Sequence, residues 1–222
     1  PPGGAPVTAG AMGARPGSLR LRLLAVTLAT VLLALVGAHA WLAGLFRDHV
    51  LRQFDLTLSQ QLDQLAARLE FDAQGLPTIG PRGLSDPRWE RPYSGLYWQV
   101  EPLPAGAGQF QRPSADAAPR RGVLRSRSLW DAELALPDDA LADGAVHRHD
   151  IAGPRGEPLR AVERSLQAGE PADARWRLIV AGELHDTTAA VDRFNGVLAL
   201  SLLGLGVLLV LAALAQVAVG LA

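Results

Sequence analysis

Residues 23–46 read LLAVTLATVLLALVGAHAWLAGLF and carry no formal charge. Residues 196–222 read GVLALSLLGLGVLLVLAALAQVAVGLA and form a second uncharged run. Because a helix rises about 1.5 Å per residue, each run is long enough to cross a hydrocarbon layer of about 30 Å. All 22 acidic residues and 18 of the 21 arginines lie between the two runs. The sequence therefore predicts two transmembrane helices, at 23–46 and 196–222, that enclose one polar domain at 47–195.

The arginines next to the first apolar run indicate its orientation. Arg15, Arg20 and Arg22 precede the run, and arginines beside a membrane helix favour the cytoplasmic side. Residues 1–22 are therefore predicted to form a cytoplasmic leader. The domain at 47–195 is then predicted to lie on the periplasmic side of a bacterial inner membrane.

A cleaved signal peptide is the alternative interpretation of the first run. Residues 38–40, Ala-His-Ala, fit the small-x-small cleavage pattern. The run continues beyond this triplet, however, and Trp41 and Phe46 lie where interfacial aromatic side chains are expected. We therefore favour a retained membrane helix, in which His39 is a structural residue near the outer interface.

Composition limits what the central domain can be. Its length suits one domain with its own core. Its arginines and acids sum to a net charge of −4, which argues against a nucleic-acid partner. The chain has no cysteine, so disulfides and thiolate metal sites are excluded.

Hydrophobic periodicity predicts an α+β domain with a largely antiparallel sheet. An amphipathic helix is predicted to continue the first apolar run over 47–71, and a loop is predicted to follow at 72–94. The domain is predicted to end in a helix at 183–195 that leads into the second run. One face of the first helix carries an apolar stripe that can pack on a dimer mate, on its own sheet, or on both. Its residues are Leu51, Phe54, Leu58, Leu62, Leu65 and Leu69. The predicted strands are 95–100, 122–129, 145–151, 158–166 and 176–181, with a hairpin turn at 153–156.

Two groups of side chains have the chemistry of metal ligands. His147 and His149 are two residues apart on a predicted strand, so they share a face and can bind a metal. An exposed strand with two polar positions is the favoured interpretation, and the sequence fixes no third ligand. Asp138, Asp139 and Asp143 can face a divalent cation, although a solvated turn is the preferred interpretation. We therefore assign neither group as a metal site.

The remaining polar and aromatic candidates have structural explanations. Arg160, Glu163 and Arg164 share one predicted strand, where ion pairing between strands is favoured over binding of an anionic ligand. The large aromatic side chains can line a ligand pocket or supply core mass, and core packing is favoured for most of them. They are Trp89, Tyr93, Tyr97, Trp98, Trp130 and Trp176. The chain has no P-loop, GxGxxG motif or nucleophile triad, so no catalytic or cofactor-binding residue is assigned.

Several stretches resemble the sensory half of bacterial two-component sensor histidine kinases, in the PhoQ-like branch. The resemblance covers residues 18–222. It is carried by the order of leader, apolar run, domain and apolar run, and by five stretches of sequence. They are Ser18-Leu19-Arg20-Leu21-Arg22-Leu23, Phe54-Asp55-x-x-Leu58, 94–100 (SGLYWQV), 124–131 (LRSRSLWD), and 153–156 (GPRG) with the following Leu159-Arg160 and Glu163-Arg164.

This resemblance implies a PAS-like (PDC-type) sensor domain that detects an unknown periplasmic ligand. It also implies a HAMP linker and a kinase domain that use ATP and Mg²⁺, phosphorylate a response regulator, and are expected to follow residue 222. It implies a homodimer in the membrane, in which small helix shifts carry the signal inward. The acidic membrane-facing surface of PhoQ-like members is not evident, because the chain has no long acidic run.

Two other functions fit the same layout. A chemoreceptor or a diguanylate cyclase can carry a similar outer domain. A membrane protein without enzymatic activity, whose outer domain binds a protein partner, fits as well. The sequence beyond residue 222 would distinguish these functions from a kinase.

Overall fold

The structure is a computed structural model of the 222-residue chain. It describes residues 17–73, 75–103, 124–137, 144–167 and 175–219, with backbone alone for residues 17–21. The chain divides into two compact units. We call residues 1–46 with 192–222 the helical unit, and residues 47–191 the sheet domain.

Two long helices dominate the secondary structure. Helix α1 spans Gly17–Arg68 and helix α2 spans His185–Val219. No proline interrupts either helix, so their backbone hydrogen-bond ladders continue unbroken. Both are long and apolar enough to cross a membrane. The predicted amphipathic helix is indeed a continuation of the first apolar run, but it ends at Arg68, three residues before the predicted end.

The sheet domain contains a five-stranded, fully antiparallel sheet. Its strands are β3 (Leu96–Leu103), β4 (Leu124–Arg125), β5 (Val146–Ala152), β6 (Pro158–Gln167) and β7 (Arg175–Glu183). Their order across the sheet is β4-β3-β7-β6-β5. The first and last of these strands in the chain therefore lie side by side, with β4 and β5 at the edges. The predicted α+β class and the antiparallel sheet are confirmed.

The loop predicted at 72–94 was wrong, because this segment contributes to a second, two-stranded sheet. Strand β1 (Leu69–Phe71) pairs with β2 (Pro77–Ile79), and a 3₁₀ helix follows at Pro87–Glu90. The hairpin is closed locally: the Leu76 N–H donates to Asp72 Oδ1 at 2.8 Å, and Gly75 has a φ of 74°. An Asp side chain and a glycine with positive φ are typical of a tight turn. In a segment rich in glycine and proline they do not stand out from a longer loop.

The strand predicted at 122–129 is also shorter than expected. Only Leu124–Arg125 pairs as a strand, Arg127–Leu129 forms a 3₁₀ helix, and residues 122–123 lie outside the described residues. Serine hydroxyls end the strand: Ser126 Oγ accepts from the Trp98 N–H at 3.1 Å, and Ser128 Oγ donates to the Leu96 carbonyl at 2.7 Å. Short hydroxyl side chains that bond to the backbone compete in this way with strand pairing.

The apolar stripe of α1 packs on the sheet of its own chain. Leu58, Leu62 and Leu65 are at most 1% exposed, and they contact the face of the sheet formed by Trp98, Val162, Val180 and their neighbours. We call this layer the helix-side core.

Close approach of α1 to the sheet depends on a glycine. A Cβ at Gly182 would lie 2.8 Å from Phe54 Cζ and 3.0 Å from Leu58 Cδ2. A side chain at this position of β7 would therefore push α1 away from the sheet.

The opposite face of the sheet carries a second core. Tyr97, Leu129, Leu159 and Ile179 are buried there. Leu134 and the two alanines at 161 and 181 complete the layer. Strands β3, β6 and β7 therefore contribute alternate side chains to one or the other core, as strand geometry requires.

Candidate functional site

The second face of the sheet brings together His147, His149 and Glu163. In the β5–β6 ladder His147 lies opposite Glu163, and His149 lies opposite Ala161. His149 Nε2 is 2.8 Å from Glu163 Oε1. One ligand atom from each of the three side chains lies within 4.8 Å of the other two. His147 is half-buried, the side chain of His149 is 10% exposed, and Glu163 is fully buried. We call these three residues the His-Glu cluster.

The structure thus places beside the two histidines the carboxylate of Glu163, a third side chain with the chemistry of a metal ligand. The sequence places Glu163 on one strand with Arg160 and Arg164 and predicts ion pairs for all three. Its carboxylate does pair with side chains on both neighbouring strands, namely His149 on β5 and Arg177 on β7. Among the described residues, the His-Glu cluster is the one group of three such side chains close enough to hold a single ion.

A buried arginine holds the carboxylate of Glu163 in place. Arg177 is 3% exposed, and its Nε contacts Glu163 Oε2. Its Nη1 lies 3.3 Å from Glu101 Oε1, and its Nη2 donates to the Pro137 carbonyl at 2.7 Å. An arginine fixed at three points positions the carboxylate that it contacts, so Glu163 Oε1 remains directed at His149.

The buried polar network continues from Glu101 to the segment that covers this face. Gln99 donates from Nε2 to Glu101 Oε2 and to the Leu134 carbonyl, both at 3.2 Å. Gln99 Oε1 accepts from the Leu134 N–H at 2.9 Å. The amide of Gln99 therefore ties the residues after the short 3₁₀ helix to β3, since buried polar groups require such partners.

Sequence reasoning did not identify Gln99, Glu101 or Arg177. A signal was present: Arg177 interrupts the most apolar strand of the chain, and a charge in a buried strand requires a buried partner of opposite sign. The partner itself depends on the pairing of strands that are distant in sequence, such as β3 and β7. That pairing is not readable from the residues.

Arg160 and Arg164 point away from the His-Glu cluster, toward α1. Arg160 pairs with Asp55 on α1 and Asp150 on β5, and Arg164 pairs with Asp63 on α1 at 2.8 Å. The hydrogen bonds to Asp55 and Asp150 outweigh partial burial and raise the pKa of Arg160. These arginines join the helix to the sheet. The predicted ion pairing between strands is confirmed for Arg160 with Asp150, whereas Arg164 pairs with α1.

Most of the large aromatic side chains belong to the two cores, as expected. Trp89, Trp98 and Trp176 lie in the helix-side core, and Tyr97 lies in the second core. The other two aromatics are exposed. Tyr93 and Trp130 are 38% and 52% exposed, and both have positive φ angles.

The remaining candidates fall outside the site. His39 lies on α1 in the helical unit and is half-buried. Asp138, Asp139 and Asp143 lie outside the described residues. The preferred interpretation of these residues as a solvated turn, and the alternative of a cation site, therefore both stay untested predictions.

Comparison of the chain with models of protein families, with curated proteins and with solved structures finds no match in any of the three.

Proposed function

We propose that residues 1–222 are the sensor region of a bacterial two-component histidine kinase. In this proposal the sheet domain is a PAS-like periplasmic sensor domain, and α1 and α2 anchor a homodimer in the inner membrane. A stimulus on the sheet domain changes the packing of the membrane helices. This change controls a cytoplasmic autokinase, which uses ATP and Mg²⁺ and phosphorylates a response regulator.

The connection between the sheet and both long helices carries the proposal. Helix α1 continues without interruption from residues of the apolar run to Leu58, Leu62 and Leu65 of the helix-side core. At the other end, Leu184 is the single residue between β7 and α2.

Hydrogen bonds fix this short junction. The Leu184 N–H donates to the Pro158 carbonyl at 3.2 Å, and the Thr188 N–H donates to the Leu184 carbonyl at 2.8 Å. Neither helix is separated from the sheet by a flexible linker, so a shift in the sheet can move both helices.

The PAS-like part of the proposal is supported by the layout of the sheet. Numbered one to five along the chain, the strands of the antiparallel sheet have the order 2-1-5-4-3. A long helix packs on one face of this sheet. The antiparallel sheet with a flanking helix is what the sequence resemblance implies.

The decisive experiment is to read the gene beyond residue 222 and to assay the full-length protein in lipid vesicles with radiolabelled ATP. We expect a HAMP linker and a kinase domain, and an acid-labile phosphohistidine on the protein. A reading frame that ends shortly after α2, or that continues into a chemoreceptor or diguanylate cyclase domain, would overturn the proposal.

An insertion tests the mechanical connection in the same assay. Three glycines placed between Leu184 and His185 should abolish the response of phosphorylation to a periplasmic stimulus while basal phosphorylation persists. The matched control places three glycines in the β5–β6 turn, between Pro154 and Arg155, where no connection to a long helix is interrupted. Equal responses from the two insertion variants would contradict the mechanism.

A further inference from the structure

We propose that His147, His149 and Glu163 bind one divalent transition-metal ion, and that Zn²⁺ fits this donor set. Two imidazoles and one carboxylate suit Zn²⁺, Ni²⁺ and Co²⁺, whereas Mg²⁺ and Ca²⁺ prefer sites built from oxygen ligands alone. Three protein ligands leave further coordination positions for water, as in many open zinc sites.

The β5–β6 ladder places the ligands before any ion arrives. Antiparallel pairing sets His147 directly opposite Glu163, and the pleat puts His149 on the same face two residues along β5. The ligand atoms already lie within 4.8 Å of one another, so binding requires side-chain adjustments and no change of strand pairing. A prearranged site of this kind loses little conformational entropy when it binds.

The surroundings of Glu163 match those of a metal-binding carboxylate. Its Oε2 contacts the buried Arg177, which leaves Oε1 directed toward His149. Arg177 is held in turn by Glu101 and the Pro137 carbonyl. Partners of this kind orient a ligand and fix the direction of its lone pairs.

An ion can reach the cluster from the edge of the sheet. Strand β5 is an edge strand, on which His147 is half-buried and the side chain of His149 is 10% exposed. Glu163 lies deeper, on the inner strand β6. The histidines therefore form the accessible side of the site.

Zinc binding is measured with the 222-residue chain in lipid nanodiscs, by competition with a chromophoric chelator. We expect one Zn²⁺ per chain, and at least a tenfold weaker affinity in each of the variants His147→Gln and His149→Gln. Co²⁺ gives a direct readout, because nitrogen ligands produce visible d–d absorption bands that both variants should lose.

Two exposed histidines outside the cluster provide the matched controls. His49 lies on α1 and His185 begins α2, and both are exposed. The variants His49→Gln and His185→Gln should bind Zn²⁺ with unchanged affinity. Circular dichroism and thermal unfolding of every variant show whether a loss of binding reflects a loss of fold.

Glu163→Gln is a less suitable probe, because it leaves the buried Arg177 without its charged partner and can unfold the domain. The half-buried His147 is the deciding position. Failure to bind Zn²⁺, equal binding by wild type and a folded His147→Gln variant, or displacement of Zn²⁺ by an equal concentration of Mg²⁺ would each overturn the proposal.

The binding is a property of the sheet domain and does not depend on the proposed kinase function. A role for the ion as the stimulus does rest on that function. Zinc should then change autophosphorylation of the full-length protein but not of its His149→Gln variant. Zinc binding without this change would refute the stimulus role, whereas absence of any autophosphorylation would refute the kinase function.

Discussion

Asp55 on helix α1 and Arg160 on strand β6 form a bidentate ion pair. Arg160 donates from Nε to Asp55 Oδ1 at 2.9 Å and from Nη2 to Asp55 Oδ2 at 3.1 Å. Asp55 is 9% exposed, and Arg148 on β5 approaches its Oδ2 at 3.3 Å. Asp55 therefore joins the first long helix to two strands of the sheet.

Loss of the Asp55–Arg160 pair is expected to destabilise the sheet domain. A double-mutant cycle with Asp55→Ala and Arg160→Ala should give a coupling free energy of about 1–3 kcal/mol, because the pair is partly buried and doubly hydrogen-bonded. The measurement is urea unfolding in nanodiscs, monitored by the fluorescence of the buried tryptophans.

The pair Asp63–Arg164 is the control for this cycle. It joins the same helix and strand through one hydrogen bond of 2.8 Å, but the side chain of Asp63 is 61% exposed. Its coupling free energy should be about 0.2–1 kcal/mol. A coupling at Asp55–Arg160 no larger than that of the control would contradict the structural role of the buried pair.

Leu58 tests where the apolar stripe of α1 packs. Leu58 is 1% exposed against its own sheet, whereas Leu56, on the same helix, is 56% exposed. Leu58→Ala should lower the free energy of unfolding by about 2–5 kcal/mol, and Leu56→Ala should change it by less than about 0.5 kcal/mol. Both values come from the same urea unfolding measurement. If the stripe were buried mainly between two chains, Leu58→Ala would instead weaken dimers and leave the unfolding of monomers unchanged.

The sequence revealed the elements of this fold better than their contacts. The strands at 95–100 and 176–181 are recognisable as short aromatic or apolar segments, because they are buried on both faces. The strands at 145–151 and 158–166 are recognisable from the turn residues between them. The residues that pair across the sheet do not follow, since a shift of register by one residue exchanges its faces.

The His-Glu cluster illustrates this limit. His147 lies opposite Glu163 because the loop between β5 and β6 is residues 153–157, closed by a hydrogen bond of 2.8 Å from the Gly153 N–H to the Glu157 carbonyl. A loop of one residue fewer would shift the register of β5 against β6 by one residue, and His147 would then lie opposite Val162. The predicted turn at 153–156 was therefore correct in position but did not determine the third ligand.

The orientation in the membrane is tested by labelling of single cysteines. The chain has no cysteine, so each introduced thiol gives an unambiguous signal. Ser85 is exposed in the sheet domain, and Ser85→Cys should react with a membrane-impermeant maleimide in intact spheroplasts. Ser18→Cys, in the predicted cytoplasmic leader, should react only after lysis. The reverse pattern would contradict the periplasmic assignment, and a labelled soluble fragment that begins after residue 40 would indicate signal-peptide cleavage.

Tyr97 is expected to make stability depend on alkaline pH. Burial, together with a hydrogen bond of 2.9 Å from its hydroxyl to Glu157 Oε1, raises the pKa of Tyr97 to about 12. In the unfolded chain a tyrosine loses its proton near pH 10. Between these values the unfolded state binds fewer protons than the folded state, so the free energy of unfolding falls as the pH rises. The contribution of Tyr97 is complete below about pH 10 and is lost above about pH 12.

The chain has two tyrosines, which makes this titration simple to follow. Absorbance at 295 nm should show a component that titrates near pH 12 in wild type and in Tyr93→Phe, and that is absent in Tyr97→Phe. Unfolding in urea above pH 10 should show a steeper loss of stability in wild type than in Tyr97→Phe, since groups common to both proteins cancel in the comparison. Parallel pH profiles would mean that the hydroxyl of Tyr97 ionises as readily in the folded chain as in the unfolded one. The contact with Glu157 would then not persist in solution.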